Sequence, residues 1–333
     1  MINKEIKIVK EYFNNIVCSS KTIAIVTHTN PDGDGLSACI ALYHILNKIY
    51  KIKTEIIMDS IFPNNLKFLK PEECIINPYD ENKFFDTLII LDCNEPERLD
   101  TNKKIFSKAK NIFIIDHHII KNETINNDYF YFIDENAVST GIMLHRFLDN
   151  VIQGFNQNDK RLYANCIYTT ILNDTNNFVN KNTNQECFTL AGELTNYGLN
   201  PAEIVYQFLL KTNLNYLKFI GQSMSTLALS TSQKIAYFYS TLTMLKENNL
   251  TTQAYSKMMK WTKGIANIEI QVSFQEYREN EFRVSLRSET KDVAKIAQKY
   301  SGGGHKEAAG FKINGTLQTV IKTVINDIES FIK

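Results

Sequence analysis

The 333-residue chain has 37 Lys and Arg against 36 Asp and Glu, and its net charge of +1 argues against an obviously basic nucleic-acid-binding protein. Its length suggests two domains, and a hydrophobic fraction of 44% with 22% charged residues excludes wholesale disorder. No apolar run approaches 18 residues, no signal-peptide core is evident, and the six cysteines form no C-x-x-C pair. We therefore expect a cytoplasmic protein with reduced thiols and no membrane span.

The first half of the chain alternates short apolar runs with helix-like stretches. Residues 22–26, 53–58, 87–91 and 111–115 are apolar at nearly every position, which is typical of parallel strands covered on both faces. Helical spacing follows the first run at residues 36–49. This β-α-β order predicts an α/β fold with a doubly wound, mostly parallel sheet in a domain of residues 1–210.

The remainder of the chain has a different pattern. Helical spacing dominates from residue 139 to about residue 229, with Asn200-Pro201 as a typical helix start. We interpret residues 211–230 as a helical linker. The segments that follow predict a smaller α+β domain at residues 231–333, with paired strands at 268–276 and 282–287.

The net charge is divided unevenly between these parts. Residues 1–210 hold 20 basic and 26 acidic side chains, whereas residues 211–333 hold 17 and 10. This asymmetry suggests two domains with different partners, although chance surface composition explains it equally well from charge alone.

Acidic and imidazole side chains follow four of the predicted elements. They are His28, Asp32 and Asp34 after the first strand, Asp92 after the third, Asp116, His117 and His118 after the fourth, and Asp174 at the end of a helix. The carboxyl ends of strands in a doubly wound sheet line one crevice, so we expect the residues at the strand ends to meet there.

This combination of side chains favours a metal centre. Carboxylates in close proximity cannot all stay ionised unless a cation compensates them. A mixed nitrogen and oxygen ligand set suits Mn²⁺, Zn²⁺ or Fe²⁺ better than Ca²⁺, and the number of candidate ligands suits two ions better than one. Taken alone, His28, Asp32 and Asp34 are better explained as loop or turn residues, whereas two adjacent histidines at a strand end, as in Asp116-His117-His118, are uncommon. The joint occurrence of these residues at three successive strand ends favours metal.

The C-terminal part carries a second candidate site. Arg287 and Ser288 end a predicted strand, and a glycine-rich turn follows at Gly303, Gly304 and His305. Peptide N–H groups, a guanidinium and an imidazole together form a cradle for a phosphate or a nucleotide. The alternative is a flexible glycine turn beside a surface arginine.

These motifs resemble those of the DHH phosphoesterase superfamily, which is named for the Asp-His-His sequence present here at 116–118. The glycine-rich segment with AAG at 308–310 resembles the DHH-associated C-terminal domain, so the resemblance covers about residues 15–330. The size and the Asp92-x5-Arg98 spacing resemble the stand-alone nanoRNase and pAp-phosphatase group. Members of this group cut very short oligonucleotides, pAp, or linear and cyclic dinucleotides.

The resemblance implies a role for each motif residue and a centre of two Mn²⁺ ions, or of other divalent ions. One ion would be held by His28, Asp32 and Asp92, and the other by Asp34, Asp92, His117 and Asp174. His118 would contact the scissile phosphate and assist the leaving group, with Asp116 orienting an imidazole. Substrate phosphate or the terminal nucleotide would be held by Arg98, Arg287 and His305, and residues 139–141 would have a positioning role.

The implied reaction is metal-dependent hydrolysis in which a hydroxide attacks phosphorus in line. The expected substrates are nanoRNA and dinucleotides such as pApA, cut to mononucleotides, and also pAp, converted to AMP. One alternative is a cyclic di-AMP phosphodiesterase, which the motifs do not distinguish. Another is an inactive nucleotide-binding module, which the complete ligand set disfavours. A homodimer is implied by the resemblance only.

One segment departs from the family pattern. The family often has Thr-Asp-Thr-Gly at the fourth motif, whereas this chain has Asn173-Asp174-Thr175-Asn176. Asparagine tolerates a left-handed backbone better than most residues, so the turn can form without glycine. The departure affects the expected substrate fit more than the metal ligand, Asp174, which is present.

Overall fold

The computed structural model describes residues 6–101, 103–119, 128–255 and 258–332. The chain separates into two compact units, Met1–Lys211 and Thr212–Lys333. Each unit has its own buried hydrophobic core. Within the described ranges, none of the helices is both long enough and apolar enough to cross a membrane.

The first unit is built on a six-stranded sheet with the order β3-β2-β1-β4-β5-β6, in which all neighbouring strands are parallel. The strands are β1 Thr22–Val26, β2 Lys53–Ile57, β3 Ile76–Asn77, β4 Phe85–Leu91, β5 Ala109–Asp116 and β6 Phe130–Ile133. The strand order reverses between β1 and β4, so the predicted doubly wound sheet is confirmed. The crevice of such a sheet lies at the carboxyl ends of these two strands.

Helices cover this sheet and hold its apolar faces away from water. They are α1 Ile6–Ser19, α2 Gly33–Lys48, α3 Thr140–Leu148, α4 Gln157–Thr175, α5 Gln185–Thr195 and α6 Pro201–Val205. Helix α2 is buried from Gly33 to Leu46 and packs along α4. Asn200 caps α6 with its side chain, as predicted, and the helix continues into a π-helical turn, Tyr206–Leu210.

The second unit contains a mixed six-stranded sheet with the order β11-β12-β10-β9-β8-β7, in which only β8 and β9 are parallel neighbours. Its strands are β7 Ala228–Leu229, β8 Ile235–Ser240, β9 Ile270–Arg278, β10 Glu281–Arg287, β11 Gly303–His305 and β12 Ala308–Asn314. The helices are α7 Leu214–Met224, α8 Leu242–Glu247, α9 Val293–Lys299 and α10 Leu317–Ile332. The predicted smaller α+β unit is therefore confirmed.

The glycine-rich segment of this unit differs from the expected turn. It forms the edge strand β11, which pairs with β12. A Cβ on Gly302 would lie 2.4 Å from the Gly310 carbonyl oxygen, and one on Gly304 would lie 2.5 Å from the Ala308 carbonyl oxygen. These two glycines are required by the close approach of the strands, whereas Gly303 has no neighbour within 4 Å of a Cβ position.

The core of the first unit provides a test of this packing. Phe113 on β5 is fully buried and makes edge contacts with the rings of Tyr12 and Phe130. We expect Phe113→Ala to lower the free energy of unfolding by about 3–5 kcal/mol, measured by denaturant titration of the full chain in EDTA. Phe84 is 69% exposed, so Phe84→Ala should change the free energy of unfolding by less than about 1 kcal/mol. Equal effects of the two substitutions would contradict the assigned core.

Candidate metal centre and active site

Asp92 lies at the centre of the crevice, directly after β4. Its Oδ2 is 3.4 Å from His28 Nε2 and its Oδ1 is 3.5 Å from His117 Nε2, so each carboxylate oxygen faces a different imidazole. The backbone of Asp92 is left-handed, with φ of 59°, and its N–H donates to the Ile115 carbonyl on β5. This turn aims the side chain into the crevice, and aspartate is among the residues that adopt it most readily.

Each imidazole gathers further carboxylates. His28 Nε2 is 3.6 Å from Asp32 Oδ1, and His117 Nε2 is 3.6 Å from Asp34 Oδ2 and 3.4 Å from Asp174 Oδ2. These separations are too long for good hydrogen bonds. They match two ligands of a single ion, since bonds of about 2.1 Å at a tetrahedral angle place ligand atoms about 3.4 Å apart. The strand ends therefore bring together one group of metal-ligand candidates around His28 and one around His117, and a third group joins Asp92 and His117 to Asp116 and His118.

Both imidazoles are oriented by backbone carbonyls. His28 Nδ1 lies 3.0 Å from the Thr29 carbonyl oxygen, and His117 Nδ1 lies 3.2 Å from that of Ala137. A ring N–H that donates to a carbonyl leaves the lone pair on Nε2, which here faces the carboxylates. Histidines that bind metal are usually supported in this way, so both residues fit that role.

The charges of the crevice fit a cation. Burial, followed by the charges of Asp174 and Asp92, holds the pKa of Asp34 well above its ordinary value. Burial and the charge of Asp92 raise the pKa of Asp174 to about 7. Although burial acts to lower it, the carboxylates of Asp92 and Asp174 raise the pKa of His117 to about 9. Within the described part of the chain, the buried Asp174 Oδ2 accepts no hydrogen bond. A divalent ion would supply both the missing positive charge and a partner for this oxygen.

The start of α3 positions two of the carboxylates. The N–H groups of Thr140 and Gly141 donate to Asp34 at 2.7 and 3.1 Å, and the Thr140 hydroxyl donates to Asp92 at 3.3 Å. The side chain of Ser139 caps the helix. Peptide N–H groups at a helix N-terminus favour a negative charge, so this segment offsets part of the effect by which burial and the neighbouring carboxylates raise the pKa of Asp34.

His118 and Asp116 form a hydrogen-bonded pair at the crevice, where His118 Nδ1 also lies 3.5 Å from Asp92 Oδ1. His118 Nδ1 lies 2.8 Å from Asp116 Oδ1, and this hydrogen bond raises the pKa of His118. The His118 side chain is 43% exposed while Asp116 is fully buried. Asn94, whose role the sequence did not suggest, donates to the His118 carbonyl oxygen. A supported and accessible imidazole of this kind is suited to donating a proton.

Arg98 lies next to the turn that carries His28. Arg98 is exposed and is the last residue of a short 3₁₀ turn. Its backbone carbonyl oxygen accepts a hydrogen bond from the Thr29 N–H at 2.6 Å. Asp100, which sequence reasoning missed, is buried and accepts from the Thr29 hydroxyl and from the Ser60 N–H. Asp100 thus holds the His28 turn in place.

The remaining candidates lie in the second unit. Arg287 borders a cavity of about 490 Å³ together with Lys260 and Gln271. Ser288 also lines this cavity, although it is only 3% exposed, and its hydroxyl donates to the Glu269 carbonyl oxygen at 2.6 Å, which stabilises the end of β10. Gly303, Gly304 and His305 are exposed along β11.

Comparisons with known proteins agree with the two-unit organisation. Residues 22–171 match the model of the DHH family, N-terminal domain, and residues 234–333 match that of the DHHA1 domain. An exopolyphosphatase-related protein from Bacteroides fragilis has the same fold, with a TM-score of 0.85 at 22% identity, and the match covers 98% of this chain and 96% of that one.

Curated relatives match most of the chain. This chain is 29% identical over 293 residues to the bifunctional oligoribonuclease and PAP phosphatase NrnA of Bacillus subtilis. The match covers 88% of this chain and 89% of that protein. The protein of the same name from Mycoplasma genitalium is 29% identical over 315 residues, or 94% of each chain. The cyclic-di-AMP phosphodiesterase GdpP of Bacillus subtilis is 23% identical over 93% of this chain but only 47% of its own length.

Gly141 lies where α3 contacts α4, and this contact predicts how an added methyl group at Gly141 affects metal binding. A Cβ on Gly141 would lie 2.1 Å from the Thr170 hydroxyl oxygen, so Gly141→Ala must shift the N–H groups that hold Asp34. We expect the affinity for Mn²⁺, measured by calorimetry, to fall about 10–100-fold, as is usual when the support of a ligand is lost. Gly192→Ala on α5 meets no atom within 4 Å and should leave this affinity unchanged. Wild-type affinity in Gly141→Ala would contradict the assigned support.

Proposed function

The chain belongs to the DHH family, and on that premise we propose that it hydrolyses nanoRNA and dinucleotides such as pApA to mononucleotides, and also converts pAp to AMP. One observation carries the proposal. Asp92 directs one carboxylate oxygen to each of two imidazole and carboxylate groups, as a bridge between two ions requires. Two relatives named as both oligoribonuclease and PAP phosphatase match 88% and 94% of the chain, which supports this substrate class.

We propose Mn²⁺ as the ion, because nitrogen and oxygen ligands in one site suit it. The proposed ligands are His28, Asp32 and Asp92 for one ion and Asp34, Asp92, His117 and Asp174 for the other. When bound, two such ions supply a nucleophile from water at neutral pH and offset charge on the phosphoryl oxygens. The protein's part is to hold these carboxylates at a fixed separation.

The other residues act on the substrate. His118 donates a proton to the leaving oxygen, and Asp116 keeps its Nδ1 occupied so that Nε2 faces the substrate. Arg98, Arg287 and His305 bind phosphate or the terminal nucleotide, for which a guanidinium provides paired donors. Ser288 acts indirectly in this proposal, by fixing the backbone after Arg287.

A second candidate function is the hydrolysis of cyclic di-AMP. The similarity to GdpP over 93% of this chain favours it, although the chain spans about half of that relative. A cyclic dinucleotide has no terminal phosphate, so the contact proposed above between Arg287 and a terminal phosphate would favour the linear substrates.

A substrate panel with Mn²⁺ distinguishes these functions. Initial rates are measured on pApA, cyclic di-AMP, a short RNA, a long RNA and pAp, with Asp92→Ala as the control for contaminating activity. We expect pApA and the short RNA to be cut fastest, pAp to yield AMP, and the long RNA to be cut slowly. Equal rates at all lengths would refute the short-substrate proposal, and preferential cleavage of cyclic di-AMP would favour the second candidate.

The two adjacent histidines should respond differently to substitution. We expect His118→Ala to lower kcat by about 10²–10⁴-fold, since general acid catalysis contributes this much, while Mn²⁺ binding stays at the wild-type stoichiometry. His117→Ala should lose both activity and one bound ion, because its Nε2 faces three carboxylates. Steady-state kinetics and equilibrium dialysis measure the two effects. Loss of an ion in His118→Ala, or near-normal turnover in His117→Ala with saturating Mn²⁺, would contradict these roles.

A further inference from the structure

Asn173, in the last turn of α4, contacts the group of metal-ligand candidates around His28 and the group around His117. Its Nδ2 donates to Asp32 Oδ2 at 3.0 Å and to Asp174 Oδ1 at 2.9 Å. Asp32 belongs to the group around His28, whereas Asp174 belongs to the group around His117. A single side-chain amide therefore spans the two halves of the centre.

The opposite end of the amide fixes its orientation. Asn173 Oδ1 accepts the Gly33 N–H at 3.1 Å. Because an amide nitrogen only donates and the oxygen only accepts, both carboxylates must lie on the nitrogen side. The bond to Asp174 uses Oδ1 and leaves Oδ2, which faces His117 Nε2 at 3.4 Å and accepts no hydrogen bond from the described residues. The amide thus takes one oxygen of Asp174 and leaves the other for an ion.

Packing keeps this arrangement rigid. A Cβ on Gly33 would lie 2.5 Å from Phe208 Cζ and 2.9 Å from Asn173 Oδ1, so the ring and the amide together fill the space beside this glycine. Phe208 is 4% exposed and belongs to the π-helical turn Tyr206–Leu210. Gly33, the first residue of α2, therefore cannot move towards the amide or the ring without displacing them.

We propose that Asn173 is a positioning residue that couples the two ion sites, so that an ion bound at one group orders the carboxylate of the other. The inference rests on the two-ion chemistry proposed above. Asp32 and Asp174 repel each other, and an amide that donates to both holds them at a fixed separation. Threonine has a shorter side chain with one hydroxyl hydrogen and cannot donate to both carboxylates, so Asn173→Thr removes the contact that joins them.

The test measures Mn²⁺ binding to the full chain without substrate. Calorimetry gives the stepwise affinities, and electron paramagnetic resonance at two equivalents of Mn²⁺ reports the exchange coupling between neighbouring ions. In the wild type we expect two ions and a coupled spectrum. In Asn173→Ala and Asn173→Thr we expect the second affinity to fall about 10–100-fold, with loss of the coupled spectrum and a smaller change in the first affinity.

Asn182→Ala is the matched control. Asn182 Nδ2 donates to the backbone carbonyl of Asp174 and not to its carboxylate, so both readouts should remain as in the wild type. The unfolding midpoint of each variant, measured in EDTA, shows whether the variant is folded. If Asn173→Ala does not fold, Asn173→Thr is used in its place.

Two results would overturn the coupling role. One is a wild-type second affinity and coupled spectrum in Asn173→Ala and Asn173→Thr. The other is an equal loss at both sites together with a lower unfolding midpoint, which would make Asn173 a merely structural residue. A wild-type chain that binds a single ion would instead refute the two-ion function itself, and the coupling with it.

Discussion

The structure of the first unit depends on the repulsion among carboxylates confined to one buried crevice. Two unit charges 4 Å apart repel by about 4 kcal/mol at an effective dielectric constant of about 20. Several such pairs rival the about 5–15 kcal/mol that stabilises a typical domain. The chain offsets this repulsion with backbone donors: Asp34 receives two N–H groups from the start of α3, and Asp32 receives two from the start of α2. Divalent ions supply the remaining positive charge in the proposed function.

The same constraint explains the unusual backbone at the crevice. A non-glycine residue with a positive φ costs of order 1 kcal/mol or more, and it persists only where the surroundings require it. Asp92 adopts φ of 59° directly after β4, and Asn176, Asn177 and Phe178 adopt positive φ in succession just after Asp174. The first turn aims a carboxylate between two imidazoles. The second ends α4 immediately after Asp174, a role that glycine often plays in the family and that Asn176 performs here as the left-handed cap.

Much of this organisation was predictable from local sequence, and the exceptions have a common physical reason. The apolar runs predicted β1, β2, β4 and β5, and their polar ends predicted which residues would meet, because strand direction alone places them at one edge. The glycine-rich segment was wrongly expected to be a turn, since its pairing with β12 is a tertiary contact. The N–H groups that hold Asp34, and the contacts of Asn94 and Asp100, join positions far apart in sequence, so no local pattern indicates them.

The excess of acidic side chains in the first half of the chain has a physical interpretation, because that half carries the crevice. The cavity of the basic half has no matching excess of positive charge, since Lys260, Lys263 and Arg287 line it together with Glu269, Glu289 and Glu307. A phosphate that approached a metal-free crevice would meet four carboxylates, so the first unit by itself disfavours the anionic substrate proposed for it. Two bound divalent ions would offset the charge of these four carboxylates and so remove the repulsion, while placing positive charge next to the phosphate. Metal binding and phosphate binding must therefore be thermodynamically linked, and each ion that binds raises the affinity for substrate as the substrate raises the affinity for the ion.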